Sequence, residues 1–256
     1  MMRSIISLGT ILMILFSCKP PPEPIEESPM IQKVDSTKIA YIMGHFNPKE
    51  HRDFALIPIE LADREGLYLR KEALRAYGQM YHQAKSEGIN FQIRSATRNF
   101  EYQKGIWERK WTGTTKLSDG TAASAVVDPV DRAKKILLYS SMPSTSRHHW
   151  GTDIDLNSFD NDYFKSGQGL VEYNWLLDHA ASFGFCQPYT DKSEGRTGYE
   201  EERWHWTYTP ISRELTNYAE QYLTDDMIQG FMGSETAPAI DVVKNYVLGI
   251  HQGCRR

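Results

Sequence analysis

Apolar residues in 69–86 fall at Ala73, Leu74, Tyr77, Met80, Tyr81 and Ala84, steps of three and four that lay one apolar stripe along a helix. Gly88 stops that helix. Ile89, Phe91 and Ile93 then alternate with Asn90, Gln92 and Arg94, the period of a half-buried strand. The pattern predicts a second helix over 99–111, and a third starting at Asp128-Pro129, a capping carboxylate followed by proline in the first turn. The Ser- and Pro-rich run 140–146 ends that third helix. In 152–157 the alternation returns, with Asp153, Asp155 and Asn157 on one face and Ile154 and Leu156 on the other. In 203–208 Trp204, Trp206 and Tyr208 share one strand face, His205 and Thr207 the other. Further helices are predicted at 171–183, 212–223 and 240–250, with Gly184 and Gly253 as stops. Helices grouped around a few strands make an α+β fold.

The N-terminal segment stands outside this pattern. Arg3 precedes an apolar stretch over 5–17, too short to span a membrane comfortably, which is the layout of an export signal that is later removed. It ends Leu15-Phe16-Ser17-Cys18, which resembles a bacterial lipobox, so Cys18 would be lipidated, become the mature N-terminus and anchor the protein to a membrane. The Pro-, Glu-, Ser- and Lys-rich residues that follow cannot offset their ordering entropy by burial. The expected organisation is a signal over 1–17, a tether over 18–38 and one folded domain over 39–256. Its last part, about 224–256, is a helical tail whose Ile240, Val243, Val247 and Ile250 would pack onto the domain. An exported chain meets oxidising conditions, where Cys186 and Cys254 either pair or persist as two free thiols.

Composition narrows the partner. A chain of 256 residues, 40% hydrophobic and 12% aromatic, can bury a proper core. A net charge of -4 without clustered Lys and Arg argues against nucleic acid. The oligomeric state leaves no mark on the pattern.

The chemistry-bearing residues lie in Ser146-Arg147-His148-His149-Trp150-Gly151-Thr152-Asp153-Ile154-Asp155 and in Glu202-Arg203-Trp204-His205. Two imidazoles, His148 and His205, with the Asp155 carboxylate suffice for catalytic zinc, which keeps its fourth position open. His148 precedes Asp155 by seven residues and on an unbroken strand would face the other way, so the chain must turn, and Gly151 is the place. Glu202, three residues before His205, is the spare base that would carry a proton from water to the leaving amine. It needs a bend at Arg203 to face the site, with Glu201 as the alternative. Arg98 is the cation for a developing oxyanion or for a substrate carboxylate. His149 is expected to pack or to meet solvent. Among six tryptophans only Trp150 is placed near a cleft.

Ser146-x-His148-x-x-Gly151-x-Asp153-x-Asp155 together with Glu202-x-Trp204-His205 resembles the signature of the VanY-type zinc D-alanyl-D-alanine carboxypeptidases, of the fold group that includes the hedgehog signalling domain. The similarity runs over about 69–208, and Ser95-Ala96-Thr97-Arg98-Asn99-Phe100-Glu101-Tyr102-Gln103 is similar to the family's arginine segment. The resemblance implies a small antiparallel sheet carrying the zinc site, flanked by helices. It implies His148, Asp155 and His205 as zinc ligands, Glu202 as catalytic base, Arg98 as substrate or transition-state arginine, and Ser146 and Gln103 as pocket lining. Ala96-Thr97 departs from the family's Gly-Tyr, and Asp153 replaces a usual small residue; it would orient a histidine or be a solvated turn residue. The implied activity is removal of the terminal D-alanine from peptidoglycan stem peptides at the bacterial cell envelope. An L,D-carboxypeptidase acting on tetrapeptide stems, a murein-binding zinc lipoprotein without turnover and a dipeptidase are the other readings.

Overall fold

The computed structural model describes residues 35–255. The expected signal, Cys18 and the tether as far as residue 34 lie outside the described residues. No helix among the described residues is long and apolar enough to cross a membrane.

Helix α1 (Ser36–Ile42) starts three residues ahead of the expected domain boundary at 39. The Asp35 carboxylate accepts from the backbone amides of Thr37 (2.9 Å) and Lys38 (3.2 Å), so a cap stabilises a first turn too polar to read as helix. Strands β1 (Phe54–Leu56) and β2 (Tyr68–Arg70) pair antiparallel, which the apolar pattern does not announce because each has three residues. Since β2 takes Leu69 and Arg70, helix α2 begins two residues later than expected, at Lys71–Ser86, and buries Ala73, Tyr77, Met80, Tyr81 and Ala84 as its stripe requires. Strand β3 (Ile93–Ser95) is the end of the predicted strand, and α3 (Phe100–Trp111) is capped by the Asn99 side chain. Helix α4 (Pro129–Ile136) starts under the Asp128 cap.

Strand β4 (Asp153–Leu156) is followed by α5 (Gly167–His179), which begins four residues earlier than the pattern suggests and continues as a 3-10 turn to Gly184. Strand β5 (Phe185–Cys186), β6 (His205–Tyr208) and α6 (Thr209–Tyr222) complete the frame. The main sheet runs β3-β4-β6-β5, antiparallel throughout, so the α+β expectation holds. Its apolar face, with Ile93, Ile154, Leu156 and Trp206, belongs to one core with Tyr77 and Met80 of α2 and Trp175 and Leu176 of α5. The opposite face pairs Asp155 with His205 and Asp153 with Thr207 across β4 and β6. Those four polar side chains are buried.

The predicted helix over 240–250 is not one helix. A short helix Ala237–Ile240 ends at Asp241, whose φ of 51° is left-handed, and a single π turn Val243–Val247 follows. The apolar residues at helical spacing are buried all the same: Ile240, Val243, Val247 and Ile250 join the second core with Trp107, Ile136 and Leu215. Gly253 lies inside a last turn, Gln252–Arg255, and stops nothing.

Cys186 and Cys254 form a disulfide across 68 residues, with Cα atoms 5.6 Å apart. It ties the turn Gln252–Arg255, through the buried Cys254, to β5 at the edge of the main sheet. Closing a loop of that size in the unfolded chain stabilises the fold by about 2–4 kcal/mol on the chain-entropy account. Cys254→Ser should lower the calorimetric Tm by roughly 4–16 °C, and a reductant should do the same to the unmodified protein. An unmodified protein indifferent to reductant would show that the bond does not form.

Candidate metal centre

Residues Arg147–Trp150 form a 3-10 turn that closes on Gly151 at φ 71°, and this reversal brings His148 to the Asp155 face of β4. A Cβ at Gly151 would stand 2.3 Å from the Phe54 ring, so glycine is required both for conformation and for space. His148 Nε2 lies 3.2 Å from Asp155 Oδ2, and His205 Nδ1, from the cross-strand partner of Asp155, lies 3.2 Å from Oδ1. The ligand atoms of all three residues fall within 4.8 Å of one another.

Their other bonds fix which nitrogens face inward. His148 Nδ1 is 2.8 Å from the Ala96 carbonyl oxygen, so it must donate, and Nε2 keeps a bare lone pair. His205 Nε2 donates to Asp153 Oδ2 at 2.8 Å, which frees Nδ1. His148 Nε2 and Asp155 Oδ1 are buried and have no hydrogen-bond partner. Ligands about 2.0–2.1 Å from a tetrahedral zinc stand roughly 3.3 Å from each other, close to the spacing found here. The donor set, its tautomers and its unpartnered atoms therefore fit zinc.

Glu202 reaches the same point because residues 203–204 form a turn before β6 begins, so strand parity does not apply to it. Its amide donates to the Tyr189 carbonyl (2.9 Å) and its own carbonyl accepts from Gln187 Nε2 (3.1 Å), which hold the turn. The carboxylate Oε2 lies 3.2 Å from His205 Nδ1. Burial pushes the Glu202 carboxyl above its ordinary value, while the His205 contact pulls the other way. Glu201, the alternative, is occupied by Arg203 at 3.1 Å.

Arg98 lines the cleft, and its buried Nε has no hydrogen-bond partner. Its backbone is pinned: the Arg98 amide donates to the His148 carbonyl (3.2 Å), and His149 Nδ1 donates to the Arg98 carbonyl (2.5 Å). His149 Nε2 accepts from the Ser144 amide at 3.1 Å, so this wholly buried histidine is a brace between two site loops rather than a solvated residue. Burial pushes its pKa down to about 3, so it stays neutral. Ser146 and Gln103 also line the cleft, each with a buried oxygen that has no partner.

Asp153 is not a solvated turn residue. Besides His205 it accepts from Arg147 Nε (3.3 Å), Thr152 Oγ1 (2.7 Å) and Thr207 Oγ1 (2.7 Å). Arg147 in turn donates to Thr216 and Thr207 and lies over the Trp150 ring, 4.4 Å from its centroid. Burial alone would raise the Asp153 pKa, yet Arg147 and His205 hold the carboxyl well below the usual range. The Arg147 role was open to inference: a carboxylate placed beside a ligand histidine inside a protein calls for a cation.

Trp150 does not line the cleft; it is buried, with Nε1 donating to the Ile42 carbonyl. Trp204 lines it instead, because the turn at 203–204 takes it off the Trp206 face. Its ring stands 6.3 Å from both Tyr139 and Phe159, and together they line one part of a cleft of about 800 Å³.

The model of the VanY family, D-alanyl-D-alanine carboxypeptidase, matches residues 66–211. "Putative carboxypeptidase YodJ" of Bacillus subtilis (strain 168) is 26% identical over 170 residues, 64% of this chain and 55% of that protein. The chain thus spans about half the length of that relative. An uncharacterized protein of Haemophilus influenzae is 30% identical over 108 residues, 35% of this chain and 75% of that one. Among solved structures, the LdcB LD-carboxypeptidase is similar at 24% identity and a TM-score of 0.48, covering 67% of this chain and 78% of that chain. VanYB in complex with D-alanine-D-alanine is similar at 23% identity and a TM-score of 0.48, covering 67% and 86%.

Proposed function

The chain belongs to the VanY D-alanyl-D-alanine carboxypeptidase family, and on that footing we propose that it is a zinc-dependent carboxypeptidase that removes the terminal D-alanine from peptidoglycan stem peptides. One arrangement carries this proposal: His148 Nε2, Asp155 and His205 Nδ1 converge, with the Glu202 carboxylate 3.2 Å from His205 Nδ1, on an open cleft. A zinc ion held by the three ligands would supply the Lewis acidity that activates water and polarises a carbonyl.

The chain's own residues do the rest. Glu202 Oε2 accepts the proton of the attacking water and returns it to the leaving amine, a role suited to a buried carboxylate beside the ligands. The Arg98 guanidinium, held by its pinned backbone and short of partners, faces the developing oxyanion or the terminal carboxylate of the substrate. Ser146 Oγ and Gln103 Oε1, both without a protein partner, meet peptide groups of the bound substrate. Glu202 favours turnover over a purely binding role, and the size of the cleft favours a stem peptide over a free dipeptide.

The Cys186–Cys254 disulfide supports an exported protein, since such bonds persist in oxidising compartments. With the lipobox-like Leu15-Phe16-Ser17-Cys18, it supports a lipoprotein of the cell envelope anchored through Cys18.

The test is incubation with muropeptides bearing tri-, tetra- and pentapeptide stems, with and without chelator, followed by mass analysis. Chelator-sensitive loss of D-alanine from the pentapeptide alone is expected. Release from the tetrapeptide would assign L,D specificity, and no release from any stem would overturn the proposal.

A further inference from the structure

Five cations line the cleft: Arg98, Lys110, Lys116, Arg147 and Lys165. Arg147 is paired with Asp153 and Lys165 with Asp162, and Lys116 is exposed at the rim, where water solvates it. Arg98 and Lys110 remain, half-buried and without an ion pair among the described residues. Arg98 has its place in the proposed mechanism. Lys110 has none.

Lys110 is placed by α3, whose Gln103, Ile106 and Lys110 follow one another at helical spacing along the cleft. Its ammonium donates to Ser140 Oγ, a single neutral acceptor for a group with three donors. Burial, and the Arg98 charge after it, pull its pKa below the ordinary value, and the Glu202 charge does not restore it. A partly desolvated cation that the protein leaves uncompensated is costly unless a ligand supplies the counter-charge. Arg98 enters the cleft from the residue before the α3 cap and Lys110 from the last turn of α3, so two separate points of one helix bring a cation each to the same cleft.

We propose that Lys110, with Ser140, forms a second carboxylate subsite, so that the favoured substrate is a peptide carrying a side-chain carboxylate just before its terminal alanines as well as its C-terminal carboxylate. This rests on the carboxypeptidase reading for the identity of the peptide, but its test does not require cleavage. The Lys110 contact is a charge-assisted hydrogen bond, which a carboxylate accepts and an amide of the same shape accepts only as a neutral group.

The experiment compares acetyl-Glu-D-Ala-D-Ala with acetyl-Gln-D-Ala-D-Ala, binding each by calorimetry to zinc-loaded Glu202→Gln protein with Lys110 intact or replaced. With Lys110 intact the glutamate peptide should bind roughly tenfold or more tightly. Lys110→Met should bring the ratio near one, and Lys110→Arg should restore most of it. A structural role for the Lys110–Ser140 bond would weaken both peptides alike and leave the ratio unchanged. An unchanged ratio in Lys110→Met, equal binding of the two peptides to the intact site, or binding of neither overturns the subsite. Cleavage of either peptide by the unmodified protein is scored separately and bears only on the carboxypeptidase reading.

Discussion

Glu202→Gln should lower kcat on the susceptible stem peptide by roughly 10²–10⁴-fold, the range that a positioned general base contributes, while the protein still binds zinc. The glutamine keeps the shape and burial of the side chain and loses only its ability to take a proton. Glu202 lies outside the three-ligand group, and the three ligands owe their orientation to other residues: Ala96 for His148, Asp153 for His205, and strand pairing for Asp155. Metal content by atomic absorption and thermal stability should therefore stay close to those of the unmodified protein. KM should move little, because the carboxylate acts on the water and on the departing amine rather than on bound substrate. A variant retaining full activity would refute the assignment of the base. A variant that loses both activity and zinc would show that Glu202 is itself a ligand.

The candidate ligands and the proposed base were legible in the sequence because each sits at a fixed offset from a strand whose alternation is clear. Asp155 and His205 lie on the polar faces of β4 and β6, and the antiparallel register makes them cross-strand partners. The two residues whose parity was wrong, His148 and Glu202, are the two that the structure places in turns: a 3-10 turn ended by Gly151, and a bend at 203–204. A parity conflict at a chemically meaningful residue thus located a turn. Residues that act at long range were not legible. His149 touches Arg98 and Ser144 through backbone groups, and Lys110 meets Ser140 thirty residues away; neither contact has a periodic signature. The tail failed for another reason: spacing reported which residues are buried, but Asp241 in a left-handed conformation breaks the path that would bury them as one helix.

Asp153→Ala should have two separable consequences, one on stability and one on the metal. Arg147 and Asp153 are both fully buried, so removing the carboxylate leaves a guanidinium with only hydroxyl partners and the Trp150 face. Breaking a buried pair in this way costs about 3–5 kcal/mol, and the same change also takes from His205 Nε2 the acceptor that holds Nδ1 toward the ligand cluster. Losing such a support typically weakens metal binding by roughly 10–100-fold. The double variant Asp153→Ala/Arg147→Met removes the stranded charge and should recover most of the stability, since apolar groups of similar volume replace buried pairs at little cost. It should not recover the zinc affinity, because His205 still lacks its acceptor. Denaturant titration reads the first quantity and competition with a chromogenic chelator the second. Recovery of both in the double variant would reduce Asp153 to a counter-charge for Arg147. Persistent zinc weakening in a stable protein would establish Asp153 as the residue that positions His205.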